Sequence, residues 1–134
     1  MDKLDIAKIK VKEIMTRNVI TVKPDEPVRM AVEKMVQNDV ECLPVVQDEG
    51  KLVGLITFRD IVVKAVHKFN FDQNLKVKDI MVQRVVTCLP QDTILEVVKL
   101  MKNKRLRRLP VVNTKGKLVG LVTNFDLALF GWEI

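Results

Sequence analysis

The stretch Gly50-Lys51-Leu52-Val53-Gly54-Leu55 occurs again 66 residues later as Gly116-Lys117-Leu118-Val119-Gly120-Leu121. The similarity extends outward from it without a gap, so that 11–66 aligns with 77–132. A duplication of this length indicates one supersecondary unit used twice. We therefore divide the chain into a leader (1–10), a first repeat (11–66), a linker (67–76) and a second repeat (77–134, of which the last two residues are a tail).

The first half of each repeat predicts a strand followed by a helix. Val19 to Val22 is a β-branched run that ends before Pro24, and Asp25 is placed to cap the next helix. In the second repeat Asp92 has the equivalent place. Apolar residues then recur at helical spacing and form one buried face. In the first repeat these residues are Val28, Ala31, Val32, Met35 and Val36.

The second half of each repeat predicts a hairpin and another helix. Strands at 43–46 and 52–56 flank a turn at 48–50, and a helix follows from about Asp60. Each repeat is therefore a β-α-β-β-α unit with a three-stranded sheet, an α/β (α+β) fold. A unit of about 56 residues is marginal alone, so we expect the two copies to pack with pseudo-twofold symmetry and to form sites in the clefts between them.

Composition excludes several classes of protein. The longest apolar runs fall far below the roughly 18 residues of a membrane span, and the charged start does not resemble a secretion signal. We expect a cytoplasmic protein with no membrane contact. Cys42 and Cys88 are isolated thiols, which argues against a zinc site or a disulfide framework and favours buried core positions.

The sequence offers little for catalysis. The single histidine, His67, lies in the linker, and no metalloprotease, phosphate-loop or dinucleotide motif is present. Gly54 and Gly120 are isolated strand glycines, which are typical of close backbone approach or a bulge. We therefore expect no enzymatic activity, no cofactor and no metal.

The strongest chemical signal is a Thr-x-x-Asp pattern that follows the same strand in both repeats. We call Thr57 to Asp60 the first motif and Thr123 to Asp126 the second motif. A hydroxyl and a carboxylate at a helix start suit a nucleotide, because the carboxylate can accept both ribose hydroxyls while Thr and the helix N-terminus face phosphate. The same pattern is also a capping box that needs no ligand. The spacing alone leaves both interpretations open.

The ordered, doubled set of motifs resembles a tandem pair of cystathionine-β-synthase (CBS) domains, a Bateman module. The set comprises Ile-Met, Val-Ile-Thr-Val, Leu-Pro-Val-Val, Gly-Lys-Leu-Val-Gly and Thr-x-x-Asp, and the resemblance covers about 11–132. It implies regulatory binding of AMP, ADP, ATP or S-adenosylmethionine in two clefts that each mix residues of both repeats. It also implies pairing of modules into a disc, with the signal passed to a regulated partner protein.

Carried over from the family, the ligand residues fall into two sets. The first cleft would use Thr57 and Asp60 for ribose and phosphate, with the base held by Val85, Val86, Leu106 and Arg107. The second would use Thr123 and Asp126, with the base held by Val19, Ile20, Val40 and Glu41. Simple strand core remains the alternative for Val19 and Val85.

Charge distinguishes the two repeats. The first has 8 basic and 9 acidic residues, whereas 77–132 has 10 basic and 4 acidic. Its basic cluster ends in Arg107 and Arg108, where a guanidinium suits bidentate phosphate binding, whereas Glu41 and Cys42 hold the equivalent positions in the first repeat. We expect the cleft of Asp60 and Arg108 to prefer a phosphorylated ligand and that of Asp126 and Glu41 to be weaker or to prefer a cationic one. A solvated helix end remains the alternative for the cluster.

Two other functions use the same features differently. The basic second repeat could bind nucleic-acid phosphates, although no aromatic residue is interleaved with its basic run for base stacking. A pure protein-interaction module is the other alternative, because 127–132 is apolar all round its helix. We expect a homodimer with Phe130 or Trp132 near its interface.

Overall fold

The computed structural model describes residues 2–132, so the two-residue tail at 133–134 lies outside the described part. The chain forms two compact units that do not coincide with the two repeats. Unit 1 comprises the residues up to Val19 and those from Val86 onward, and unit 2 comprises Ile20–Val85. Each unit therefore combines the main body of one repeat with the opening segment of the other.

The regular elements follow the same order in both repeats from the long helix onward. The helices are α1 (Lys3–Ala7), α2 (Val28–Asn38), α3 (Phe58–Asp60), α4 (Val77–Ile80), α5 (Ile94–Lys104) and α6 (Asn124–Leu129). The strands are β1 (Cys42–Val46), β2 (Leu52–Thr57), β3 (Arg108–Val112) and β4 (Leu118–Thr123). A 3₁₀ turn covers Val11–Glu13, another covers Asp48–Gly50, and a π-helix continues α3 over Ile61–Lys68.

The predicted hairpins are confirmed in both repeats. Strand β1 pairs antiparallel with β2, and β3 pairs antiparallel with β4. The pairing begins at Cys42–Thr57 in one and at Arg108–Thr123 in the other, and both registers shift by one residue before the last pair. Such a shift marks a β-bulge. The two repeats therefore share the β-bulge as well as the strand pairing.

The prediction of a third strand in each sheet is wrong, because each sheet has two strands. Only Val22 of the 19–22 run pairs with β1: its N–H donates to the Pro44 carbonyl at 3.1 Å, and its carbonyl accepts from Val46 at 2.9 Å. Asn18 has a left-handed φ of 53° on one side of the run, and Pro24 follows on the other. The extended segment is therefore too short for a ladder. Cys88 makes the equivalent single bridge to Val111 in unit 1.

The predicted aspartate caps of the long helices are also wrong. Pro27 is the N-cap of α2 and makes no side-chain cap bond, while Asp25 instead pairs with Lys78 at 3.0 Å. In α5 the cap is Thr93, whose side chain accepts from the Glu96 N–H. Proline without an N–H suits a helix start. The helix that begins near Asp60 differs too, since its main part is π-helical rather than α-helical.

The opening segment of one repeat adds to the far edge of the other repeat's hairpin. In unit 2, Leu55 and Val82 exchange both backbone hydrogen bonds, at 3.0 and 2.8 Å, and in unit 1 Thr16 and Leu121 do the same at 2.8 and 3.0 Å. This brings Met81 over Gly54, where an added Cβ would lie 2.5 Å from its sulfur and 3.0 Å from the Val82 oxygen. The prediction of close backbone approach at Gly54 is confirmed. Gly120 meets Met15 in the same way.

Each unit has its own hydrophobic core. The core of unit 2 is built around the fully buried residues Leu43, Ile56 and Val77, and the core of unit 1 around Leu109, Val122 and Leu127. Leu43 and Leu109 are equivalent positions of the duplication, as are Ile56 and Val122. Val77 belongs to the second repeat but is buried with the first. The opening segment of the second repeat therefore contributes to the hydrophobic core of unit 2.

Both cysteines are buried, as predicted. Burial, and to a lesser degree the nearby Asp92 carboxylate, raises the pKa of the Cys88 thiol to about 12. Since the thiolate is the nucleophile, we expect Cys88 of the folded protein to resist iodoacetamide at pH 8 and to react after unfolding in guanidinium. The raised pKa also means that the thiol's contribution to stability is present below pH 9.0 and is lost as the pH rises towards 12. Peptide mass spectrometry after timed labelling measures the rate at which Cys88 reacts with iodoacetamide. Equal rates in the folded and the unfolded protein would contradict the expected protection.

Candidate functional site

The first motif is a closed hydrogen-bonded box at the end of β2. The Asp60 Oδ2 atom accepts from the Thr57 N–H and from the Thr57 hydroxyl, both at 2.9 Å, and the Asp60 N–H donates to Thr57 Oγ1 at 3.1 Å. Asp60 is the buried charged residue among the described residues, with 7% of its surface exposed. Its other oxygen, Oδ1, lies 3.1 Å from Lys64 Nζ. Both carboxylate oxygens of Asp60 are therefore engaged within unit 2.

The second motif repeats the box with nearly the same dimensions. The Thr123 N–H donates to Asp126 Oδ2 at 2.9 Å, and the Asp126 N–H donates to Thr123 Oγ1 at 3.1 Å. Asp126 is half-buried, and no hydrogen bond or ion pair engages its Oδ1 among the described residues. The second motif thus holds a fixed carboxylate with one oxygen outside the box.

The capping-box interpretation of the sequence is confirmed geometrically for both motifs. The box uses one carboxylate oxygen and the threonine hydroxyl, and it fixes the orientation of the aspartate. It does not use the second oxygen, which in Asp126 can accept hydrogen bonds from a diol and which in Asp60 a diol would have to take from Lys64. The cap and a ligand role are therefore compatible in the same residues.

One backbone hydrogen bond joins the turn that precedes each hairpin to the Thr-x-x-Asp motif that follows the same hairpin. The Phe58 N–H donates to the Glu41 carbonyl at 2.7 Å in unit 2, and the Asn124 N–H donates to the Arg107 carbonyl at 2.8 Å in unit 1. The helices preceding these turns both end in a left-handed residue, Asp39 and Arg105 respectively. The structure thus places an acidic residue beside the first motif and a basic one beside the second.

The other predicted site residues lie where irregular backbone connects the regular elements. Unit 2 contains Ile20, Val40 and Val85, and unit 1 contains Val19, Val86 and Leu106; all six are half-buried. Arg108 is half-buried at the start of β3, in register with Thr123. The expectation that each ligand site combines residues of both repeats, including Asp60 with Arg108, stays a prediction.

Two features of unit 2 were missed from the sequence. Lys64 bonds Asp60 and also donates to the Ile80 carbonyl at 3.0 Å. The spacing of four residues between Asp60 and Lys64 is a readable signal for such a pair. The second feature is an open groove of about 700 Å³ in unit 2, lined by 23–27 with Gln47 and Asp48. It depends on which loops meet, and no sequence pattern marks it.

The described residues contain no group of three or more His, Cys, Asp or Glu side chains placed to hold a metal ion. His67 is exposed at the end of the π-helix. In the described part of the chain, none of the helices has both the length and the apolar character that a bilayer span requires.

Comparison with known proteins identifies the class to which this fold and these motifs belong. The family model of the CBS domain matches the chain twice, over 11–67 and 77–132. The chain therefore belongs to the CBS domain family and carries two copies of the domain, as the resemblance in the sequence implied.

Its relatives include proteins of different activity. Inosine-5'-monophosphate dehydrogenase of Methanocaldococcus jannaschii is 40% identical over 118 residues, which is 88% of this chain and 23% of the dehydrogenase. The chain thus spans less than a quarter of that enzyme.

Two solved structures illustrate the fold with bound molecules. CBSX2 in complex with AMP matches with a TM-score of 0.82 and 28% identity, covering 92% of this chain and 96% of the other; CBSX2 is from Arabidopsis thaliana. The CBS domain pair of protein MJ0100, in complex with 5'-methylthioadenosine and S-adenosyl-L-methionine, matches with a TM-score of 0.81 and 30% identity, covering 91% and 95%. Both of these similar proteins hold adenosine compounds.

Proposed function

We propose that this chain is a regulatory module that binds an adenosine compound (AMP, ADP, ATP or S-adenosylmethionine) and passes its occupancy to another protein. The observation that carries the proposal is the pair of matching Thr–Asp boxes, each with its carboxylate fixed at the end of an equivalent strand. The adenosine compounds bound by two similar CBS proteins support the ligand class.

The chemistry of the motifs fits a ribose. A carboxylate accepts from the two ribose hydroxyls, and charge-assisted hydrogen bonds of this kind are about twice as strong as neutral ones. We assign Asp60 and Asp126 to the hydroxyls and Thr57 and Thr123 to their orientation. Arg107 and Arg108 are assigned to phosphate, and the half-buried aliphatic residues named above to the adenine face. The role we propose for this set is binding without turnover.

A thermal-shift series tests the proposal. Saturating AMP, ADP, ATP or S-adenosylmethionine stabilises the folded state by mass action, and we expect at least one of them to raise the melting temperature by several degrees at moderate salt. Guanosine monophosphate is the matched control for phosphate and ribose without adenine. Stabilisation by none of the four adenosine compounds would contradict the proposal.

Nucleic-acid binding is the second candidate, and the charge distribution favours it. Unit 1 has 13 basic and 7 acidic residues, whereas unit 2 has 10 of each. Five ion pairs offset part of the basic charge within unit 2. In unit 1, Lys102, Lys104, Arg105 and Arg107 are exposed. Stabilisation by polyanions only, lost steeply as salt rises, would favour this function over the first.

We also propose that the chain forms a homodimer through exposed apolar helix faces. Phe125 and Leu129 of α6 are 67% and 71% exposed, and Phe58 and Val62 are more than half exposed. Trp132 is buried in the core of unit 1, which leaves Phe130 as the exposed member of the predicted pair. Light scattering at high micromolar concentration should give twice the chain mass, and a monomer would contradict the proposal.

A further inference from the structure

Lys64 makes the first motif electrostatically different from the second. Its Nζ atom lies 3.1 Å from Asp60 Oδ1 and donates to the Ile80 carbonyl at 3.0 Å. The Lys64 side chain is 37% exposed and that of Asp60 is 10% exposed, so the pair is partly shielded from water. The ammonium therefore occupies the carboxylate oxygen that the capping box leaves over.

The second motif has no cation at the position equivalent to Lys64. The residue 66 positions after Lys64 is Phe130, which is 41% exposed. The backbone also differs, because Phe130 is the residue that follows the last turn of the α-helix α6, whereas Lys64 lies within the π-helix. Short π-helical segments are rare and occur frequently at functional sites. The duplication has thus kept the Thr–Asp box and changed what lies against its free oxygen.

We propose that Lys64 determines the ligand specificity of the first motif. Because of Lys64, this motif binds a phosphorylated adenosine more tightly than adenosine itself. The inference rests on the proposed function, since it presumes that Asp60 accepts ribose hydroxyls. It assigns to Lys64 the second contact that such a ligand needs, an ammonium for the phosphate.

The physical reason is the cost of separating a shielded ion pair. A ribose that binds Asp60 Oδ1 competes with the ammonium for that oxygen. An uncharged nucleoside offers the displaced ammonium no new anion, so part of its binding free energy is lost. A nucleotide offers its phosphate, and the ammonium exchanges one anion for another. Discrimination therefore arises from Lys64 without any contact to the base.

Calorimetric titration with AMP and with adenosine tests the inference. The titrations use the Asp126→Asn background, so that the first motif dominates binding. We expect AMP to bind at least tenfold more tightly than adenosine when Lys64 is present. In Lys64→Met the adenosine affinity rises and the AMP affinity falls, so that the preference for AMP drops at least threefold. Arg107 and Arg108, which we assign to phosphate, retain the rest of the preference. Lys64→Arg retains a cation and should retain most of the preference.

The controls separate this inference from the proposed function. Lys68→Met removes an exposed cation from the same π-helix and should leave the preference unchanged. If Lys64→Met unfolds, Lys64→Gln keeps a donor for the Ile80 carbonyl without the charge and should show the same loss of preference. An unchanged ratio of AMP to adenosine affinity in the folded variants overturns the role of Lys64 alone. If neither AMP nor adenosine binds to the Asp126→Asn protein or to the wild type, the role of Lys64 is overturned. The proposed function is overturned only if ADP, ATP and S-adenosylmethionine do not bind to the wild type either.

Discussion

Gly54→Val should destabilise the protein by about 3 kcal/mol and lower its melting temperature by about 10 °C. The first carbon of any side chain here would lie 2.5 Å from the Met81 sulfur and 3.0 Å from the Val82 carbonyl oxygen. The sulfur can move, but the carbonyl is part of the hydrogen-bonded bridge between Leu55 and Val82. The substitution therefore forces apart a hairpin and the opening segment of the other repeat. Thermal unfolding followed by circular dichroism measures the loss.

A double-mutant cycle shows whether the contact with Met81 is responsible. Gly54→Ala alone clashes with the sulfur, and Met81→Ala alone leaves a cavity. Their combination relieves the clash, so it should cost about 1 kcal/mol less than the sum of the single costs. Val53→Ala, a half-buried neighbour in the same strand, is the matched control for strand substitution. Strict additivity would mean that the opening segment does not press on Gly54.

The double variant Asp60→Asn/Asp126→Asn should lose about 100-fold in AMP affinity and still fold. The asparagine carbonyl can replace Oδ2 as acceptor of the threonine N–H, which preserves the cap. Its amide nitrogen cannot accept from a ribose hydroxyl, and loss of a hydrogen bond to a charged group costs about 1.5–3 kcal/mol. Isothermal titration calorimetry measures the affinity, and circular dichroism checks the fold.

The matched control for this variant changes carboxylates that lie away from both motifs. Asp25 and Asp48 line the groove of unit 2 and are exposed, so Asp25→Asn/Asp48→Asn makes the same chemical change without touching a Thr–Asp box. It should bind AMP as the wild type does. Equal AMP affinity for both double variants would show that Asp60 and Asp126 do not hold the ribose.

The sequence predicted the fold where local pattern and packing agree. The hairpin with strands at 43–46 and 52–56 follows from β-branched residues around a turn, and it formed, as did its equivalent in the second repeat. The run at 19–22 has equal β propensity but yields one bridge, because Asn18 and Pro24 restrict its length. Propensity describes a residue's fit to a sheet and does not report how many neighbours it finds.

The combination of the repeats into compact units could not be predicted from the duplication. The alignment runs from 11 to 66 without a gap, so nothing in it indicates that 77–85 packs with the first repeat. The glycines gave the only hint. A glycine inside a strand predicts that another backbone comes close, but it does not identify which segment supplies it.

The sequence predicted the chemistry of the candidate site better than it predicted how the first motif differs from the second. The Thr–Asp boxes followed directly from the spacing and formed with matching distances. The contrast between Lys64 and Phe130 was visible in the sequence, but its importance depends on Lys64 reaching both Asp60 and Ile80. Ile80 lies 16 residues away in the chain, and only the fold brings it there.

Native mass spectrometry of the wild-type chain with AMP tests the central claim most directly, because it counts bound ligand on each protein molecule. The protein is desalted, mixed with AMP at up to millimolar concentration and compared with guanosine monophosphate at equal concentration. We predict that the chain gains the mass of one or two AMP molecules and gains no guanosine monophosphate under the same conditions. A chain that keeps its bare mass with millimolar AMP and with each of the other three adenosine compounds, or that binds AMP and guanosine monophosphate equally, would contradict the account.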